Sequence, residues 1–325
     1  MTDFWANRRV LVTGGAGFLG ANLCLALAAK GARVTAVDAF LFGGGAHAGN
    51  LDGANVELVR ADIREVDMRP HCEGRGVIFN LAAQTSHMGG QREPLKDIDV
   101  NAVAQVRLIE AAREAAPEAI VVHASTRQFY GKPLYLPVDE KHPVAPPDAN
   151  GVSKFAGEQY WMLENRVNFR PVVSLRLTNC YGPRLRIRDA RQTFLANWLR
   201  EVLRENPFEV WGGEQLRDLT YVDDVTEAFL RAAETTACHG RIFNIGGAPP
   251  VSLAKLAALL VELAGNGARY EVKEFPADRK KIDIGSYYAD DREFRVATGW
   301  APLVTVRDGL AKTLAWLQPR LEEYC

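Results

Sequence analysis

Arg9-Val10-Leu11-Val12-Thr13-Gly14-Gly15-Ala16-Gly17-Phe18-Leu19-Gly20, continuing to Arg33-Val34-Thr35-Ala36-Val37-Asp38, decides how the rest of this chain is read. Val10 to Val12 is a short apolar run of the kind a parallel sheet buries on both faces, and the glycines from Gly14 break it. Leu19, Leu23 and Leu27, with Ala21, Ala26 and Ala28, then form an apolar face at helical spacing, stopped by Lys30-Gly31. A second strand, Arg33 to Val37, ends on Asp38. The unit is strand, glycine turn, helix, strand.

Each part of that unit has a task if a dinucleotide lies across it. Gly14 and Gly17 let the backbone turn tightly beneath a pyrophosphate, whose charge meets the amides at the helix N-terminus around Phe18 and Leu19. Asp38, about twenty residues beyond the glycines, is placed to accept hydrogen bonds from an adenosine ribose, and its charge would repel a 2′-phosphate. NAD is therefore expected rather than NADP. The plainer reading is a glycine turn in another α/β protein, but the strand before it, the helix after it and the distant acid all favour the dinucleotide. The spacing Gly14-x-x-Gly17-x-x-Gly20, with Thr13 before it, resembles the extended short-chain dehydrogenase/reductase superfamily, most members of which act on nucleotide-activated sugars.

Composition sets outer limits. The 325 residues are 47% hydrophobic, enough for a large core in two lobes or in one large domain with an appended one. With 39 basic and 40 acidic residues, overall charge offers no case for nucleic acid or a membrane surface. Cys24, Cys72, Cys180, Cys238 and Cys325 are odd in number and scattered, which suggests neither a disulfide framework nor a zinc site, so no metal is expected. The chain runs almost at once into its first strand and has no apolar run of membrane-spanning length, so the expected location is the cytoplasm.

The first half alternates strand and helix. Val56 to Val59 leads to Asp62 and Ile63, which in the resembled family lie along the adenine, although Asp62 also suits a helix cap. Val77 to Asn80 runs out into Leu81-Ala82-Ala83, small enough to admit a cofactor at a strand's carboxyl end. His87, in the following loop, faces the substrate by resemblance and is a candidate base as well as a solvated loop histidine. One long helix is expected from Pro94 to Ala116. Ile120 to Ser125 is the fifth strand, and Ser125-Thr126-Arg127-Gln128-Phe129-Tyr130-Gly131 resembles the family's hydroxyl-bearing strand end and Tyr-Gly turn. By that resemblance Ser125 and Thr126 hydrogen-bond the reacting sugar hydroxyl, though both also suit turns.

Asp148-Ala149-Asn150-Gly151-Val152-Ser153-Lys154-Phe155-Ala156-Gly157-Glu158 resembles the superfamily's Tyr-x-x-x-Lys helix, with Lys154 in the lysine place and Asn150 where the tyrosine belongs. In the family that tyrosine takes the proton of a sugar hydroxyl while hydride passes to the nicotinamide. An amide has no basicity for this task. Lys154 still suits the nicotinamide ribose and another group's pKa. Three solutions stay open: a substitute base among Tyr130, His87, Asp148 and Lys154; a water oriented by Asn150; or binding without turnover.

Beyond the sixth strand, Val172 to Leu177, Thr178-Asn179-Cys180-Tyr181-Gly182-Pro183 resembles the family's sugar-diphosphate segment and implies a substrate role for Asn179. Cys180 is expected to be inert. Arg184, Arg186, Arg188 and Arg191 crowd one loop, either as recognition groups or as a solvated face. Arg217-Asp218 through Asp223-Asp224 resembles a further family block, which places Arg217 on the phosphates and leaves the last two acids as helix caps. Arg279 occupies a basic position that contacts the diphosphate in relatives.

The expected fold is α/β, a doubly wound parallel (Rossmann) sheet over residues 1–182 with segments returning near 218–246, and a smaller, discontinuous substrate lobe mainly over 183–325. The resemblance implies an NAD-dependent epimerase of a nucleotide-diphosphate sugar, acting most simply at C4, with Lys154, Thr126, Ser125, Asn150 and Tyr130 at the reacting centre. It also implies a homodimer through helices at 101–116 and 154–164. A dehydratase or keto-sugar reductase is the second reading; Arg127 and Gln128, where a dehydratase carries an acid, count against the former. A catalytically silent binding protein is the third.

Overall fold

The computed structural model describes residues 4–41, 45–188, 193–246, 249–276 and 283–325. Its first strand, β1 (Arg9–Thr13), carries Val10, Leu11 and Val12 with no exposed surface, which only a sheet covered on both faces allows. Around it lie β2 (Arg33–Asp38), β3 (Val56–Arg60), β4 (Val77–Asn80), β5 (Ile120–Thr126) and β6 (Val172–Leu177). A late strand, Ile242–Ile245, joins the far edge beside β6, and every pairing in the seven-stranded sheet is parallel. The order from the other edge is β3-β2-β1-β4-β5-β6, so the direction of winding reverses between β1 and β4. The crevice at that reversal, outside the carboxyl ends of the strands, is where a doubly wound sheet takes its ligand.

Helix α1 (Phe18–Ala29) follows the glycine turn. Gly14 has a φ of +67°, and a Cβ there would lie 2.9 Å from the Ala82 amide nitrogen; one on Gly20 would lie 2.1 Å from the Gly14 carbonyl oxygen. Side chains at these places would push turn, helix and β4 apart. Thr13 locks the same corner: its Oγ1 donates to Asn80 Oδ1 at 2.8 Å and accepts from the Ala82 amide at 3.2 Å.

The stretch expected as one helix from Pro94 is broken. A short helix, Pro94–Ile98, passes through a π turn at Asp99–Val103 into the regular helix Ala104–Ala115. The wider turn sets the Asn101 carbonyl against the long helix Ala149–Asn168, where a Cβ on Gly157 would come within 2.2 Å of that oxygen. It also frees the Asn101 side chain to bond Gln84, whose amide donates to Asn101 Oδ1 at 2.9 Å. Helix Ala149–Asn168 leaves Val152, Tyr160, Leu163 and Val167 exposed on one face.

Apolar side chains fill both faces of the sheet, and a further core lies beyond it. There Leu195, Trp198, Leu199 and Val202 of helix Phe194–Leu203 meet Phe208, Leu256, Leu260 and Leu310. Helix Val222–Glu234 returns to the large sheet through Val225, Ala228 and Phe229. Asp224 does not cap that helix: its two carboxylate oxygens accept the amides of Leu303 and Val304, each at 3.0 Å, and so tie the C-terminal segment down. Among the described residues, no helix is long and apolar enough to cross a membrane.

Candidate active site

A cleft of about 390 Å³ opens at the winding reversal. Every residue expected to hold the cofactor lines it, from Gly14 through Asp38 and Asp62 to Ala83, together with Lys154. The local geometry suits a dinucleotide. Asp38 Oδ1 accepts the Phe40 amide at 3.0 Å and Oδ2 the Ala16 amide at 3.1 Å, which fix the carboxylate at the lip of the cleft with lone pairs left over for ribose hydroxyls. Burial raises its pKa above the usual carboxylate value, against those backbone bonds. Asp62 is no helix cap; Arg64 grips it through Nη2 at 2.6 Å, and that hydrogen bond holds the carboxyl below its ordinary range.

At the other end, Ser125, Thr126, Asn150, Lys154, His87 and Asn179 are brought together along the same cleft. Thr126 Oγ1 accepts the Gln128 amide at 3.1 Å, which leaves its own proton free to donate. Ser125 differs: its hydroxyl donates to buried Glu158 at 2.7 Å, a carboxylate also paired with Arg176 at 2.6 Å, so towards the cleft it can only accept.

Asn150 is occupied. Its amide nitrogen donates to the Gln84 carbonyl and to Asp97 Oδ2, both at 3.0 Å. Asp97 is 1% exposed and also accepts from Ser153 Oγ at 2.5 Å and Asn101 Nδ2 at 3.0 Å. A hydrogen-bonded floor thus replaces the phenol. Lys154, one turn along the helix, makes no hydrogen bond among the described residues; burial lowers its ammonium pKa to about 8, with Asp97 working the other way.

His87 opens a six-residue helix, His87–Arg92, capped by Ser86, whose Oγ accepts the Gly89 amide. Its Nδ1 lies 3.0 Å from Asp148 Oδ2, a charge contact off the straight hydrogen-bond line, so that Nδ1 has no hydrogen-bond partner among the described residues. Asp148 caps the next helix through Gly151 at 2.7 Å and accepts Gln128 Nε2 at 3.1 Å. Burial tends to raise the Asp148 carboxyl, but the His87 contact and these donors bring it below its ordinary value. The result is an imidazole, backed by a carboxylate, at the mouth of the cleft.

Two expected residues lie elsewhere. Tyr130 is wholly buried, donating to Asn244 Oδ1 at 2.9 Å and accepting from Arg176 at 2.7 Å, and burial pushes its phenol up to about 12. That corrects its candidacy as base: it links core elements and does not reach the cleft. Arg217 does not line the cleft either; it bonds the Gly285 carbonyl and lies 3.6 Å from Asp283. Arg279, like Arg191, lies outside the described residues. Cys180 does line the cleft, but burial lifts its thiol to about 12, which removes it as a nucleophile. Arg184 is spent on Asn50 and Asn22. Sequence reasoning missed Asp97, because only the π turn aims it beneath Asn150. Among the described residues, no group of three or more His, Cys, Asp or Glu is arranged to hold a metal ion.

Residues 10–246 match the sequence pattern of the NAD dependent epimerase/dehydratase family. The chain is 33% identical over 322 residues to a UDP-glucose 4-epimerase of Mycolicibacterium smegmatis, covering 95% of this chain and 98% of the relative. Two solved structures are similar over 96% of this chain and 99% of theirs. One is a UDP-glucose 4-epimerase of Thermotoga maritima with UDP-glucose (28% identity, TM-score 0.88). The other is a UDP-glucuronic acid 4-epimerase of Bacillus cereus with UDP-glucuronic acid and NAD (25% identity, TM-score 0.85).

Proposed function

The chain belongs to the NAD dependent epimerase/dehydratase family, and from that premise we propose that it inverts one carbon of a nucleotide-diphosphate sugar, most simply C4, through a transient keto sugar. NAD is the cofactor, and the chemistry it would supply when bound is reversible hydride transfer with no net redox. Thr126 donates a hydrogen bond to the sugar oxygen, and His87 takes the hydroxyl proton on Nε2. Asp148, 3.0 Å from the other ring nitrogen, stabilises the imidazolium so formed. Lys154 holds the nicotinamide ribose and adds positive charge where an alkoxide develops. His87 then delivers its proton back to the sugar oxygen of the inverted carbon. Asn179 contributes to the sugar-diphosphate end.

The observation that carries this reading is the His87–Asp148 pair set in the same cleft as Lys154 and Thr126, where Asn150 cannot serve as base. A second reading, binding without turnover, is favoured by the engagement of the Asn150 amide nitrogen. Proton NMR of the protein with NAD and UDP-, GDP-, CDP- and dTDP-sugars in heavy water tests both. A new stereoisomer without deuterium supports hydride shuttling at one carbon. Deuterium in the product moves the reaction to a neighbouring carbon or to elimination, and binding without change supports the silent reading.

A further inference from the structure

The inner end of the cleft holds a cation that the protein leaves unmatched. Arg127 follows Thr126 directly and lines the cleft. Its Nη2 reaches Asn179 Oδ1 only at 3.4 Å, its guanidinium carbon lies 4.8 Å from the centre of the Tyr287 ring, and its Nη1 has no hydrogen-bond partner. No carboxylate pairs with it among the described residues. Two more polar atoms nearby lack partners: Asp218 Oδ1 and the Tyr287 hydroxyl, on side chains with no exposed surface. Asp218 is held on its other oxygen by the Ala289 amide at 2.9 Å. Burial lowers the Arg127 pKa although Tyr287, Asp218 and Asp283 all pull the other way. Leaving such groups unpaired is costly, above all when charged, and Arg127, which lines the cleft where Asp218 and Tyr287 do not, is the one a ligand in the cleft can complete.

Resting on the nucleotide-sugar reading above, we propose that Arg127 anchors a carboxylate carried by the sugar, so that the substrates are nucleotide-diphosphate uronic acids and not neutral hexoses. Position argues for the sugar over the diphosphate. Arg127 is the immediate neighbour of Thr126, the hydroxyl assigned to the reacting sugar hydroxyl, and on a pyranose the C5 carboxylate adjoins C4. A planar guanidinium binds both oxygens of a carboxylate at once. A neutral hydroxymethyl would leave the cation buried and unpaired, which rejects the uncharged sugar by desolvation. Burial raises the Asp218 carboxyl to about 6, which eases its protonation when a second carboxylate arrives and turns its free oxygen into a donor.

The test is binding calorimetry on the NAD-loaded full chain with UDP, UDP-glucose and UDP-glucuronate, and with GDP, GDP-mannose and GDP-mannuronate. Within the accepted nucleotide, the uronate should bind at least ~10-fold tighter than the neutral sugar, the size of one charge-assisted hydrogen bond. Arg127→Met should abolish that difference, by weakening the uronate and easing the penalty on the neutral sugar, while leaving the nucleoside diphosphate within about twofold. Equal affinity of the wild type for both sugars, which needs no variant, overturns the carboxylate assignment alone. Loss of free nucleoside diphosphate in Arg127→Met to the same degree as uronate would place Arg127 on the phosphates and overturns it too. Failure of every nucleotide and sugar to bind, with NAD still bound, removes the nucleotide-sugar reading and this proposal with it.

Discussion

At the scale of single residues, the answer proposed for the missing tyrosine is charge placement. If His87 is the base, His87→Ala should slow turnover by ~10²-fold or more while NAD affinity stays unchanged, and Asp148→Asn should cost less. Full turnover in His87→Ala, followed by NMR of the sugar product, removes the histidine from the mechanism. Lys154 makes a prediction about pH. Its ammonium pKa stands near 8 in the fold against an ordinary 10.5, because burial disfavours the charge. The unfolded chain therefore holds the proton more firmly: a stability penalty is present in full below about pH 8 and is relieved as pH rises towards 10.5. Lys154→Met should accordingly be more stable than wild type at pH 7, by ~1 kcal/mol after allowance for partial exposure, with the gap closing at alkaline pH in thermal melts. Turnover should be lost in that variant, and in the wild type it should decline as pH passes through about 8.

At the scale of elements, the site depends on the close approach of helix Ala149–Asn168 to the π turn. Gly157 has no room for a side chain, since a Cβ would lie 2.2 Å from the Asn101 carbonyl oxygen, which is backbone and cannot swing aside. Gly157→Ala should cost ~1–3 kcal/mol in urea unfolding. Because Asn101 also holds Gln84, and Gln84 holds Asn150, sugar affinity should fall alongside stability. Unchanged stability would mean the two helices separate without cost. The motif from Asn150 to Lys154 was legible as a helix from its resemblance to the superfamily's Tyr-x-x-x-Lys segment, and the break at Asp99–Val103 was not. Ile98, Val103, Leu108 and Ala112 continue a helical stripe through the π turn, so nothing in the apolar pattern marks it; the extra residue is accommodated by packing against a helix some fifty residues later in the chain.

At the scale of the whole molecule, Val152, Tyr160, Leu163 and Val167 form an exposed apolar stripe along the helix that carries Lys154. Such a stripe on a helix that builds the site suits a second copy of the chain. Light scattering should give the mass of two chains, and Leu163→Glu should reduce it to one without lowering the melting temperature of the fold itself. A wild-type monomer at micromolar concentration would refute the dimer.

By itself the sequence determined the parallel sheet, the glycine turn and the acid that ends the second strand. These follow from local periods, from the positive φ that glycine accepts and from fixed distances along one βαβ unit. The tertiary structure alone decided which polar groups face the cleft. Tyr130 and Thr126 are four residues apart on one turn, yet one is sealed in the core against Asn244 and Arg176 while the other opens to the site. His87 meets Asp148, and Asp97 meets Asn150, across more than fifty residues. Local pattern encodes which face of an element is buried. Hydrogen-bond partners and burial are settled only when distant elements close on one another, because the same side chain has a different cost and a different charge in each surrounding.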